Sequence, residues 1–259
     1  MAIPLNNTFE GGSDETTVTT GNSGGSSGDA FGSVVIDSAN GVKFDNAKAA
    51  HGTYSVRMDI ATANRTAVSW QSAQVGSIFE CWGRCYYWNA AAPTVGLRLV
   101  SMYQAGALKA GLIHTSGGLL RVSDSASASN DTVAAIPTSA WTRIEFHVIA
   151  SATVGQIEAR IYSADSTTAI TNGTVSSPAT RNTGTAIDEV AFGNTTFNTQ
   201  AVTMWMDDLQ VNGTGWPGPA SAQTLLPDAD VTTTGWATAP LFSKLNDGSD
   251  ATVITATAS

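Results

Sequence analysis

The chain has 259 residues and a formal net charge of −9, from 21 Asp and Glu against 12 Lys and Arg. Such a field repels phosphate backbones, and no cluster of Lys or Arg interrupts it, which argues against a nucleic-acid partner. No apolar run approaches the roughly 20 residues that a membrane-spanning helix needs, so no membrane insertion is expected.

Charged residues make up only 13% of the chain, about half the usual share. The polar surface therefore falls to Ser, Thr, Asn and Gln, a composition that suits pleated strands better than helices. The N-terminal run Met1-Ala2-Ile3-Pro4-Leu5-Asn6-Asn7 has neither a basic start nor an apolar stretch, so no signal peptide is expected and synthesis in the cytoplasm is the simplest reading.

In chain order, Gly21 to Asp29 reads as a flexible Gly/Ser-rich connection. Tyr54, Val56, Met58 and Ile60 then alternate with Ser55, Arg57 and Asp59, the period of a half-buried strand. The run Ile78 to Trp88 sets Phe79, Cys81, Gly83, Cys85 and Tyr87 on one face, with Trp82, Arg84, Tyr86 and Trp88 on the other. Cys81 and Cys85 on one extended strand lie about 13 Å apart. That is too far for a disulfide, so both are expected as free, small core residues. The three histidines are scattered, and no zinc site is expected.

Val95, Leu97 and Leu99 alternate with Gly96 and Arg98, and Ser123 to Asp131 reads as a polar bridge between strands. From Thr142 to Ala150, Ile144, Phe146 and Val148 oppose Arg143, Glu145 and His147; Ile157, Ala159 and Ile161 then oppose Glu158, Arg160 and Tyr162. Repeated half-buried strands require a second sheet to cover their apolar face. The expected fold is therefore all-β, an antiparallel two-sheet sandwich.

Its last strand is Met204-Trp205-Met206-Asp207-Asp208-Leu209-Gln210-Val211, over residues 1–212 as one domain. Two prolines and three glycines between Gly213 and Pro219 then make a stiffened linker over 213–220. Residues 221–259, with a short strand candidate at Ala251 to Ala256, form an arm or the opening of a further β-domain.

Two constellations raise questions of chemistry. Strict alternation puts Asp207 in line with Trp205, Leu209 and Val211, pointing inward, where a carboxylate needs a partner. Loop amides could supply it, without metal. The rings of Trp82, Tyr86 and Trp88, with Arg84, form a candidate platform for stacking sugar rings; the alternative is that loops cover this face.

Enzyme signatures are missing. Asp188 and Glu189 are adjacent and split across two faces, whereas glycoside hydrolysis needs two carboxylates facing one another. No nucleophile elbow occurs. His147, near Glu145 on a polar face, is expected at the surface, and no catalytic residue is assigned.

Three segments carry a resemblance: Asn7-Thr8-Phe9-Glu10-Gly11-Gly12, Ala50-His51-Gly52-Thr53-Tyr54-Ser55-Val56, and Trp205 to Val211. Their order is similar to that of concanavalin A-like, laminin G-like and carbohydrate-binding jelly rolls. The resemblance implies a lectin-like jelly roll and a structural calcium held by Glu10 and Asp207, oxygen ligands of the kind calcium takes.

The stretch Leu226-Pro227-Asp228-Ala229-Asp230-Val231-Thr232-Thr233-Thr234-Gly235-Trp236 resembles one in minor tail and related structural proteins of actinobacterial phages. It implies a non-enzymatic virion component, either a minor tail or tail-tip protein or a capsid decoration protein. Its expected partners are other virion proteins through the C-terminal arm, further copies of itself, and host surface glycans. The alternative is a standalone carbohydrate-binding module.

Overall fold

The structure, a computed structural model, describes residues 3–37, 41–197 and 199–220. Among these, fifteen strands numbered in chain order form two antiparallel sheets. The first sheet runs β13 (Thr174–Ser176), β12 (Gln156–Ser163), β11 (Thr142–Ile149), β6 (Glu80–Asn89), β15 (Val202–Asn212), β4 (Ser55–Ile60) and β3 (Val42–Asp45). A short β1 (Leu5–Asn7) also pairs with β15. The second sheet runs β10 (Ser129–Ala135), β9 (Leu119–Asp124), β8 (Ala107–His114), β7 (Leu97–Gln104), β14 (Glu189–Asn194), β5 (Thr66–Trp70) and β2 (Ser33–Ile36). A single helical turn, α1 (Ser72–Val75), follows β5. The sandwich expected from the alternation is the observed fold.

Between the sheets lies one continuous apolar core. An aromatic chain crosses it: Phe9 to Phe31 at 5.9 Å between ring centroids, Phe31 to Trp70 at 5.2 Å, Trp70 to Phe192 at 5.8 Å, and Phe192 to Phe146 of the opposite sheet at 6.3 Å. The Phe146 ring lies over Gly83, its cross-strand partner, where an added Cβ would stand 2.1 Å from the ring. Cys81 and Cys85 are buried and unbridged, and burial pushes both thiols up to about 12. Tyr87 places its hydroxyl 3.0 Å from Nδ1 of buried His114, and burial depresses that imidazole to about 4.

Three expectations change. Residues 123–131 are not simply a bridge: β9 runs to Asp124 and β10 starts at Ser129, with Arg121 paired to Asp131 at 2.6 Å. The Asp124 carboxylate accepts the amides of Ala126 and Ala128 at 3.0 and 2.9 Å and so supplies the turn that composition did not reveal. The Gly21 to Asp29 connection is pinned, because Asn7 Nδ2 donates to the carbonyls of Ser23 at 2.6 Å and Asp29 at 3.0 Å. Finally, β11 is buried on both faces, with Arg143 and Glu145 each 1% exposed. Its outer face has a cover, which is where the site begins.

Candidate functional site

Strand β15 changes neighbour halfway along. Residues 202–206 pair with β4, and residues 209–211 pair with β1. At the changeover the register against β6 slips: Asp207 faces Tyr86, but Gln210 faces Arg84. This bulge has an extra residue, and Asp208 sits there at φ 47, in left-handed backbone. The slip corrects the expected alternation. Met204 and Met206 point into the core ahead of the bulge and Leu209 and Val211 after it, whereas Asp207 shares the outer face with its partner Tyr86.

Asp207 is nonetheless fully buried, because residues 50–54 fold over it. Its Oδ2 accepts the amides of Ala50 at 2.8 Å and His51 at 3.3 Å, and its Oδ1 accepts that of Asp208 at 2.8 Å. Glu10 grips the other end of the same loop, accepting the amides of Thr53 and Tyr54 at 2.9 Å each through Oε1. Glu10 Oε2 takes a second contact from the Thr53 amide at 3.0 Å. The two carboxylates thus stitch one loop to the sheet. Each oxygen of this pair accepts at least one amide, so loop amides supply the partner that buried Asp207 needs. Among the described residues the grouping with metal-ligand spacing is elsewhere, at Asp14, Glu15 and Asp45. There Arg57 pairs with Glu15 and Asp45, and Lys43 pairs with Glu15.

His51 extends the network outward, bridging the carboxylates of Asp208 and Asp165; its Nε2 lies 3.0 Å from Asp165. Burial disfavours the imidazolium, but the two carboxylates outweigh it and hold the His51 pKa above the usual histidine value. Burial, aided by the charge of Asp208, raises Asp207 well above its ordinary value, and burial also raises Asp208 against the opposing pull of His51. Tyr86 donates its hydroxyl to Asp165, and burial together with that carboxylate pushes the phenol up to about 12.

The expected sugar platform lies on this same outer face. Cross-strand neighbours form three rows: Trp82, His147 and Glu158; Arg84, Glu145 and Arg160; Tyr86, Arg143 and Tyr162. Residues 213–220, expected as a linker, turn back from β15 and run over these rows as a strap. Trp216 packs under the Arg160 guanidinium at 3.7 Å and against His147 at 6.1 Å. The Gly218 carbonyl accepts from Arg84 at 3.0 Å, and the Ala220 amide donates to the Tyr86 hydroxyl at 3.0 Å.

Arg84 and Tyr86 are therefore buried, while Trp82 and Trp88 stay partly exposed. His147 is not the surface residue expected. It stacks on Trp82 at 4.5 Å and meets Glu80 and Glu158 at 2.9 Å each. Beyond the strap, Trp88 and Trp205 meet edge to face at 5.0 Å, with Lys48 Nζ 3.9 Å above Trp88.

The outer face of the second sheet carries a separate groove. Across β2, β5, β14 and β7 a groove of about 200 Å³ has a floor of small residues, Ala67, Ser69 and Ala191, walled by Arg65, Tyr103 and Glu189. The floor follows from cross-strand register, since Ser69, Ala191 and Ser101 lie side by side. Sequence reading missed these residues. Small side chains on three separated strands carry no local signal until pairing aligns them.

No family model and no curated protein matches this chain. Among solved structures it is similar to the binding domain of botulinum neurotoxin serotype G, with a TM-score of 0.49 and 11% identity over 81% of this chain and 47% of that one. It is also similar to the alginate lyase vAL-1 from Chlorella virus, with a TM-score of 0.42 and 9% identity over 70% of this chain and 89% of that one. A sialidase gives a TM-score of 0.46 and 7% identity over 63% of this chain, and this chain spans only 16% of that protein. The shared feature is β-rich architecture, and at these scores none bears on what the chain does.

Proposed function

We propose that the chain is a non-enzymatic structural component of a phage virion, a minor tail, tail-tip or capsid decoration protein, whose lectin-like sandwich contacts host surface glycans. The observation that carries the glycan part is the groove on the second sheet. A floor of small side chains lets a flat ring approach the strands. Tyr103 offers an aromatic face, and Arg65 and Glu189 offer a donor and an acceptor for ring hydroxyls. Few convergent polar groups on an open concave surface are the usual make-up of a small-ligand site. Its volume, about 200 Å³, is below that of drug-sized sites and suits a single ring. Glu189 is the one carboxylate in the lining, where glycoside hydrolysis would use two. The virion part is supported by the resemblance of Leu226 to Trp236, which lies outside the described residues.

Titration of glucose and N-acetylglucosamine oligomers, followed by amide chemical shifts, tests the groove. Shifts are expected at Ser69, Tyr103 and Ala191, and Tyr103→Ala should weaken binding about 3- to 10-fold, the range of one aromatic contact. Light scattering tests assembly: a symmetric oligomer is expected, and a monomer without glycan affinity would overturn the proposal.

A further inference from the structure

Beside the groove lies a charge without a counter-ion. Arg98 stands on the outer face of β7, with Ser101 and Tyr103 further along the same strand. Its side chain lies over Gly111, where an added Cβ would stand 2.4 Å from Nη1. The Nε and Nη1 atoms are buried and have no hydrogen-bond partner, which leaves Nη2 as the guanidinium nitrogen open to solvent. Among the described residues no carboxylate pairs with Arg98, although every other arginine near this face has one: Arg65 holds Asp37 at 2.8 Å and Arg121 holds Asp131 at 2.6 Å.

Removing a guanidinium from water without pairing it is costly, and an anion brought to its open side recovers part of that cost. Burial already depresses the Arg98 pKa, a measure of how poorly its charge is solvated. Gly111, under the guanidinium, is paired with Ser101, and Ser101 with Ala191 of the groove floor, so the guanidinium stands two strands from that floor. Glu189 is paired across the strands with Tyr103 and presents its carboxylate to the same space. An unpaired cation thus flanks the groove, whose own lining sets an acceptor, Glu189, beside the aromatic ring of Tyr103.

We infer that the groove takes a sugar acid, its carboxylate seated at Nη2 of Arg98 and its hydroxyls shared between Tyr103 and Glu189. This rests on the glycan reading of the same groove and names the class of sugar. An arginine fork meets a carboxylate better than it meets a hydroxyl, because both partners are charged and the planar geometries match. A neutral hexose would leave the Arg98 charge as poorly compensated as before.

The test uses the full chain titrated separately with glucuronate, glucose and acetate, followed by amide chemical shifts. Glucuronate is expected to bind at least tenfold more tightly than glucose or acetate, with shifts reaching Ser101 and Gly111 that glucose does not cause. Arg98→Gln should bring glucuronate down to the level of glucose, and its folding is checked by its melting temperature. The shift map of the unaltered protein stands if that variant does not fold. Equal binding of glucuronate and glucose overturns the sugar-acid inference and leaves the glycan reading intact. Acetate binding as tightly as glucuronate also overturns it, since the ring would then contribute nothing. No response to either sugar overturns both readings.

Discussion

At Asp207 three backbone amides converge on one carboxylate, and the geometry leaves no open oxygen. An asparagine there keeps one acceptor oxygen but turns an amide N–H₂ toward N–H donors. Asp207→Asn is therefore expected to destabilise the fold by about 1–3 kcal/mol, the cost of leaving buried donors unsatisfied, as read from urea unfolding. With loop amides already serving both carboxylates, the fold is expected to be independent of calcium at Glu10 and Asp207. Melting temperatures with and without a calcium chelator should coincide, and a drop on chelation would restore calcium to this pair. Gly83 is as strictly determined, by the Phe146 ring above it. Gly83→Ala should cost about 1–3 kcal/mol through overpacking, measured in the same way.

Among the elements, the loop over β15 is where solution pH acts. His51 has a folded-state pKa above its ordinary value, so the folded chain binds a proton more tightly than the unfolded chain does. That contribution is complete below the unfolded value and is lost as pH rises through the folded one. His51→Gln should thus lower the melting temperature most in mildly acidic buffer, and the gap to the unaltered protein should close on the alkaline side. A gap independent of pH would show that His51 only packs. His114 acts in the opposite sense: its pKa is depressed to about 4, so its burial costs stability as pH falls below the ordinary histidine value. It is present in both proteins and cancels from the difference. The strap is the second such element. Trp216→Ala removes the ring between Arg160 and His147, and hydrogen exchange at residues 213–220 should speed up while that of β6 and β11 stays slow.

Across the whole molecule, the first sheet was legible because alternation is a local signal: β4, β6, β11, β12 and β15 fall where the pattern placed them, whereas of the second sheet the alternation found only Leu97 and Leu99 of β7. What lay outside that signal depends on contacts distant in sequence. One extra residue at Asp208 reversed the side on which Asp207 lies, and the change of partner from β4 to β1 has no mark in the chain. His147, Arg143 and Glu145 read as solvent-facing since their covers, the strap and the carbonyls of Ala164 and Ser166, come from elsewhere. Gly and Pro correctly announced the end of β15 but could not say that the chain returns across the sheet. The groove of Tyr103 and Glu189 was invisible for the same reason, being assembled from separate strands.

The pairing of β1 with β15 also has a mechanical meaning. Leu5 lies opposite Val211 in an antiparallel pair, so tension between the start and end of the sandwich would open those strands one pair at a time instead of shearing them together. The chain leaving β15 does not transmit load there directly. Residues 213–220 first peel from Tyr86, Arg84, Arg160 and His147, each contact yielding in turn. Pulled in an optical trap from its two ends, the protein should show a small reversible extension from the strap before the larger rip of the sheets. Trp216→Ala should erase the first event and leave the second in place.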